Sequence, residues 1–391
     1  MTAGRWAIGL ICLAGMWLVP YSGARRVVRR LMPEAPPAPA LLASLVLTLA
    51  LVTLLSELLG SMGQFRRGPM VAGGLLTGAL AAGLGRPRTI RFTRQSPNAA
   101  TLTAASLAVV VAARWTIGSA NSLRSGVFTE DSIQYHLPFA ATFAQSGWLS
   151  RLHYAWLDPV WTFYPFGSEI FHAMGMEAFG RDVLSPLLNL GWLTIALLAA
   201  WCCGARWDAG PLTLAAGGVV FSLPMLTDSQ PGSANSDAAC LALLPAAVGL
   251  LFTVADTGGG YLLVGLAAGL AAGTTLYALP PVVGLTAGVV LFDRTTVPRK
   301  LTLGFLGLFA GGGYWYLRNL IVLGNPVPGF KFGPLHLPRA PVPDRGSLRL
   351  LRRPLHSRRL VLEALRRPGP AHRQRLISPN FLDRMEVIAT R

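Results

Sequence analysis

The chain is 391 residues long, 52% hydrophobic and only 13% charged, with a mean hydropathy of +0.48. That composition excludes an ordinary soluble domain and places the chain among integral membrane proteins, where each remaining charge is informative. The formal charge of +17 is nearly all Arg, since Lys occurs only at Lys300 and Lys331; Arg flanking apolar runs answers to anionic headgroups, so the basic balance does not point to nucleic acid.

A helix needs about 20 mostly apolar residues to cross roughly 30 Å of hydrocarbon. Residues 6–22, 40–60, 69–85, 99–118, 183–203, 211–226, 236–255, 261–278, 279–292 and 301–323 meet that pattern, with 211–226 and 279–292 the shortest. The expected fold is therefore all-α: a polytopic transmembrane helical protein of about 10 spans, with a large outer loop holding short interfacial helices. The first run has a charged start and an apolar core like a signal peptide, but further spans follow directly, so it reads as a retained helix. Cys12, Cys202, Cys203 and Cys240 all lie inside apolar runs without C-x-x-C spacing, which indicates neither a disulfide framework nor a zinc site. Pro280-Pro281 lacks two backbone donors and reads as a tight break between two spans.

Orientation follows from the Arg residues. Arg25, Arg26, Arg29 and Arg30 fall in 23–39, Arg86, Arg88, Arg91 and Arg94 in 86–98, and Arg294, Arg299 and Lys300 in 293–300. If these loops are cytoplasmic, the N-terminus is outside, and so are the long segment 119–182, the acidic segment 227–235, the turn at Pro280-Pro281 and the end of the last span at Arg318-Asn319. Within 119–182, Pro138 suits the first turn of a helix over 138–146 that ends at Gly147, with Phe139, Phe143 and Trp148 available to the membrane interface. Residues 153–166 interleave six aromatics with two prolines, and 167–180 reads as another short helix. Beyond about residue 338 the chain turns Arg-rich, with 13 Arg against Asp344, Glu363, Asp383 and Glu386 in 339–391. That stretch reads as a disordered or aberrant terminus, with a polybasic lipid-binding tail as the competing account. The expected organisation is membrane helices over 1–118, the outer loop over 119–182, membrane helices over 183–330 and the basic tail over 331–391.

The polar residues of the outer segments are the candidate site. In "TEDSIQYHLP", Glu130 and Asp131 stand beside the membrane, where an ionisable group is a functional candidate by default. Asp131 is placed to take a proton or bind a cation; equally, Asp131 with Gln134 three residues on has the look of a capping box. His136 can donate to a phosphate or relay a proton, or simply precede a helix as a polar interfacial residue. Glu169-x-x-His172 puts two groups on one helical face, as metal ligands require, or as a solvated face would show. His153 and Asp158 are of the same kind. Tyr154, Trp156, Trp161, Phe163 and Tyr164 can stack on sugar rings or form an interfacial belt. Asn235 and Asp237 stand at the start of a span, able to bind hydroxyls or a cation, with Ser236 or Asp237 also a good cap. Arg318-Asn319, set in "YWYLRNLIVLGNP", offers a guanidinium fork suited to phosphate, against snorkelling to the surface as the plain account.

The ordered stretches "EDSIQYHLPFAATFAQSGWL", "YPFGSEIFHAMGMEAFGRDVLSPLLNLGW", "ANSDAACLALLPAA", "GLAAGTTLYALPPVVGLTAGVVL" and "YWYLRNLIVLGNPVP" resemble bacterial multi-spanning GT-C glycosyltransferases, nearest the protein-mannosyltransferase-like, lipid-sugar-dependent branches. The resemblance covers residues 125–330. It implies an enzyme that moves a sugar from a polyprenyl-phosphate donor to an acceptor hydroxyl, with 119–182 as the catalytic loop. It implies Asp131, with Glu130 beside it, as the base or as a holder of a divalent cation; Tyr135, His136, Tyr164, Glu169, His172, Asn235, Asp237, Arg318 and Asn319 would line the substrates. Arg318 is then the candidate for the departing lipid phosphate. Relatives often carry a Lys in the Gly-Thr-x stretch, where this chain has Gly273-Thr274-Thr275, so one cationic contact of the family is missing. Membrane lipids are the other expected partner, with no nucleic acid. The runner-up reading is a transporter or lipid flippase, and a third is an inactive GT-C-like envelope protein; polar residues near the bilayer midplane would favour the former, and Glu57 is the main one.

Overall fold

Long runs of Leu, Ala and Val leave the backbone no solvent to bond with in hydrocarbon, so it bonds to itself as helix. The structure, a computed structural model, describes residues 2–85, 98–153, 159–254, 259–292 and 297–328. In chain order the helices are α1 (Ala3–Leu31), α2 (Pro37–Ser61), α3 (Arg67–Leu84), α4 (Ala99–Ser125), α5 (Leu137–Ser146), α6 (Gly167–Phe179), α7 (Ser185–Ala205), α8 (Gly210–Phe221), α9 (Pro224–Ser229), α10 (Asp237–Val254), α11 (Gly260–Thr274), α12 (Leu279–Phe292) and α13 (Val297–Leu323), with no strand among the described residues. Each apolar run marked from the sequence falls on a helix, except that 211–226 is divided between α8 and α9 by a turn at Ser222-Leu223. Among the described residues, five (α1, α2, α4, α7 and α10) are long and apolar enough to cross a membrane. Helices α8 and α12, at 12 and 14 residues, rise only about 18 and 21 Å.

With lipid as apolar as Leu, membrane helices associate through close packing of small residues rather than through the hydrophobic effect. The α11/α13 contact is of this kind. A Cβ added at Gly269 would overlap the Leu308 carbonyl, and one at Gly312 would overlap the Gly269 carbonyl. Helix α1 meets α3 in the same way. Helix α2 lies at the centre, against α1, α7, α10, α11 and α13.

The break between α11 and α12 falls at Thr275, whose backbone is extended, and is followed by a short 3-10 turn, Leu276–Ala278. Pro280 and Pro281 therefore lie in the first turn of α12, where their missing N–H groups cost nothing, rather than forming the break themselves. Helix α5 ends at Gly147 as expected, in the left-handed conformation at φ +77°, and α6 ends at Gly180 at φ +70°.

Several contacts gather the polar segments at one end of the bundle. Arg66, in the α2–α3 turn, donates to the Ala144 and Gln145 carbonyls at 2.6 and 2.9 Å, closing the C-terminus of α5. Arg67 donates from its backbone N–H to Glu177 Oε2 at 2.9 Å and from Nε to the Glu177 carbonyl at 2.7 Å, holding α6. Helices α5 and α6 are therefore tied to the bundle through the α2–α3 turn. Phe139 and Phe143 are buried with Phe166 and Trp315 in one aromatic cluster, with ring centroids 4.2 Å apart for Phe139 and Phe166 and 5.5 Å for Phe166 and Trp315. The loops at 86–97 and 293–296, and the tail from 329 onward, lie outside the described residues.

Candidate functional site

Residues 130–146 are continuously helical, so the helix starts well before Pro138. Pro138 has no N–H for the carbonyl four residues back, and its ring crowds that carbonyl. The chain answers by widening into a π-helical turn over Ser132–His136, closed by the Leu137 N–H on the Ser132 carbonyl. This turn sets the directions of the whole TEDSIQYH stretch.

On its inner side, Ser132 and His136 are buried. His136 Nδ1 pairs with Glu169 Oε1, and the Ser168 hydroxyl donates to Glu169 Oε2 at 3.0 Å. Glu169 and His172, expected on a metal-binding or solvated face, are 1% and 2% exposed, which excludes the solvated face. His172 Nδ1 has no hydrogen-bond partner among the described residues, and burial, with His136 nearby, pushes the imidazole down to about 3. Tyr135 is sandwiched by rings, 4.0 Å from His136 and 4.8 Å from Trp161. Its phenol is raised by burial first and then by the negative charges of Glu169, Asp131 and Asp237, with Tyr164 also close, so residues from three separate segments act on one hydroxyl.

On the outer side, Glu130 and Asp131 are exposed. The capping box is not formed. Asp131 makes no side-chain cap hydrogen bond, and Gln134 instead donates to Glu130 Oε1 at 2.7 Å. Asp131 is left without a hydrogen-bond or ion-pair partner among the described residues.

The 230–237 segment is fastened to this turn. Thr129 Oγ1 donates to Ser132 Oγ at 2.5 Å; Ser132 Oγ donates to Asn235 Oδ1 and accepts the Ala234 N–H, both at 2.8 Å. Asp237 is exposed and accepts from Gln230 Nε2 at 2.9 Å, while Gln230 Oε1 accepts the Ala238 N–H at 3.3 Å. Gln230, rather than Ser236 or Asp237, thus serves the first turn of α10. Asn189, from α7, donates to the Gln230 carbonyl at 2.8 Å and to the Ser233 carbonyl at 3.3 Å.

Arg318 does not snorkel: it is 6% exposed, 4.9 Å from the Trp315 ring centroid. Its Nη2 donates to the Thr162 carbonyl at 2.7 Å and to Asn319 Oδ1 at 2.9 Å, and no carboxylate pairs with it among the described residues. Asn319 donates to the Phe163 and Pro326 carbonyls at 2.7 and 3.2 Å. The pair therefore anchors the 3-10 turn Pro159–Phe163, which carries Trp161 to Tyr135. His153 is held below its usual value, by burial first and with Arg318 and Arg151 adding, against its bond to the Trp148 carbonyl. Tyr154, Trp156 and Asp158 lie outside the described residues.

Sequence reasoning thus marked the residues that meet here but missed four that hold them: Thr129, Ser132, Asn189 and Gln230. Among the described residues no group of three His, Cys, Asp or Glu is placed to hold a metal ion. No protein-family model, curated protein or solved structure matches the chain.

Proposed function

We propose that the protein is a membrane glycosyltransferase of the GT-C type, with about 10 spans, its site at the outer face of the cytoplasmic membrane. The observation that carries this reading is Asp131: an exposed carboxylate without a partner among the described residues, on a helix where Glu130, Ser132, Gln134 and His136 are all held, beside Tyr135 and Asp237. A general base needs that freedom to reach the proton it removes. The acceptor hydroxyl oxygen bonds to the anomeric carbon of the donor sugar as the bond from that carbon to the phosphate oxygen breaks. Asp131 takes the hydroxyl proton, and the polyprenyl phosphate leaves as the anion. Arg318, which pairs with no carboxylate among the described residues, supplies positive charge for that anion. Glu169 and His136 support the floor under Tyr135. The convergence of 129–136, 159–172, 230–237 and 318–319 at one end of the bundle is what a single outer site asks of the topology.

Purified protein is given a radiolabelled polyprenyl-phosphate sugar and its acceptors. Asp131→Asn abolishes transfer with membrane insertion intact; full activity in that variant would sink the assignment. A transporter or flippase is the second reading, favoured by Glu57, a buried carboxyl inside a spanning helix. It is the better reading if the wild-type protein moves lipid or solute across vesicles and transfers no sugar.

A further inference from the structure

Away from the Asp131 site, Thr53, Glu57, Thr274 and Trp315 line one small cavity of about 10 Å³, room for the centre of one water molecule, and the Thr274 hydroxyl is spent on the Ala271 carbonyl at 2.8 Å. Glu57 and Thr53 reach it from α2 and Trp315 from α13; Gly167, Gly273 and Gly311 supply the space. Glu57 Oε1, Thr53 Oγ1 and Trp315 Nε1 are fully buried, and none has a hydrogen-bond partner among the described residues. The side chains are 4%, 2% and 1% exposed.

Orphaned buried polar groups are rare, because each costs about 1–3 kcal/mol. Three around one cavity are a built set rather than a scatter of defects. The behaviour of Thr53 supports this: Ser44, Thr48 and Ser56 on the same helix each donate to the carbonyl four residues back, at 2.6 to 2.7 Å, and Thr53 alone of these four keeps its hydroxyl for the cavity.

The donor set selects the occupant. The indole N–H turns a positive edge inward, which opposes a cation, and the Glu57 carboxyl opposes an anion. No cation pairs with Glu57 among the described residues, and Arg318 is committed to Thr162 and Asn319. An unpaired carboxylate buried in a membrane helix is too costly to keep its charge. We propose that Glu57 carries its proton and, with Thr53 and the Trp315 N–H, binds a single neutral water within the helix bundle. That water fixes the Trp315 ring, on whose face Arg318 rests, and so makes Glu57 a positioning residue for the guanidinium.

The test is infrared spectroscopy of the whole chain in lipid nanodiscs at neutral pH, with thermal unfolding alongside. Wild-type protein shows a hydrogen-bonded carboxylic-acid C=O band that is missing in Glu57→Gln, and in Trp315→Phe the band moves to higher frequency as the water loses its donor. Glu57→Gln and wild type unfold within a degree of one another, and Glu57→Leu and Thr53→Val unfold several degrees lower. Absence of the acid band in wild type means a carboxylate and overturns the proposal. So does a Glu57→Leu variant more stable than wild type, the mark of a dry, unsatisfied defect. None of these readouts involves sugar transfer, so their outcome is separate from that of the enzyme assignment.

Discussion

Removing the carboxyl of Glu169 tests whether the buried His136–Glu169 pair is the floor of the site. Both side chains are almost wholly inaccessible, at 4% and 1%, and Ser168 donates to the second oxygen at 3.0 Å. Glu169→Ala strands the His136 Nδ1 and the Ser168 hydroxyl in an apolar interior; breaking a buried pair by removing one partner costs about 3–5 kcal/mol. Glu169→Gln keeps the volume and an oxygen for Ser168 and gives up only the charge assistance, which makes a bond roughly twice as strong as a neutral one; about 1–2 kcal/mol is lost. Asp131→Asn, at an exposed and unpartnered position, stays within about 0.5 kcal/mol of wild type. Thermal unfolding of the solubilised protein, followed by size-exclusion chromatography after heating, ranks the three: Ala far below Gln, Gln below wild type, and Asp131→Asn equal to wild type. A Glu169→Ala protein as stable as wild type would refute the reasoning, and so would a Gln variant as damaged as the Ala variant.

Four further outcomes follow from the same structure. His172 is a base whose folded value, about 3, lies below its ordinary 6.5, so the unfolded chain takes up the proton first. Stability is then flat above pH 6.5 and falls as pH drops from there toward 3, by about 1.4 kcal/mol per pH unit per proton; His153 adds to the slope in the same direction. His172→Leu removes one proton's share of that slope in denaturation curves recorded at several pH values. Asn189→Leu deletes the donor that holds the Gln230 and Ser233 carbonyls, and costs about 2 kcal/mol, read as faster amide exchange confined to 230–238. Gly269→Leu forces α11 and α13 apart at the Leu308 carbonyl and prevents a folded, monodisperse preparation, whereas Gly284→Ala, facing open space, leaves the elution profile unchanged. Arg318→Lys keeps the charge but loses the fork on Thr162 and Asn319, so proteolysis within 159–163 accelerates; Asn319→Asp keeps the acceptor for Arg318 but loses the donor to the Phe163 carbonyl, and accelerates it too.

The helices were legible because a spanning run is a local property: about 20 apolar residues leave a helix as the only satisfied backbone. The ends of α5 and α6 were legible for the same reason, each being a Gly in a left-handed turn at 147 and 180. The early start of the helix at Glu130 was not, since the π-helical turn is a response to Pro138 eight residues downstream. The burial of Glu169 and His172 was hidden too, because their i, i+3 spacing fits a wet face as well as a dry one; only the pairing with His136, 33 residues away, decides it. Asn189 did carry a signal. A lone amide inside "SPLLNLGWLTIALL" has no partner on its own helix and must find one on another. Gln230 and Ser132 had no such mark, since both lie in stretches already rich in polar residues.

The distribution of partners in the folded site separates scaffold from reactive group. Ser132, Asn235, Gln230, Asn189, Asn319 and Thr162 each spend polar atoms on neighbouring segments, and apart from the Arg318–Asn319 bond within α13 these hydrogen bonds join separate stretches of the chain. Such cross-element bonding fixes positions and removes freedom, which disfavours these residues as groups that exchange protons. Asp131 has the opposite character: it is set on the fixed turn, close enough to Tyr135 for its charge to be felt, and its oxygens have no partner among the described residues. Arg318 lies between the two types. Its Nη2 is committed, yet among the described residues its charge has no carboxylate to meet, and a buried cation in that state gains most from an arriving anion. On the proposed reading, the Asp131 carboxylate at the rim and the Arg318 guanidinium within, tied through Thr162 to the turn that carries Trp161, give one site a place for a proton to go and a place for a negative charge to develop. Exchanging either for a partnered neutral group removes that asymmetry without disturbing the helices that frame it.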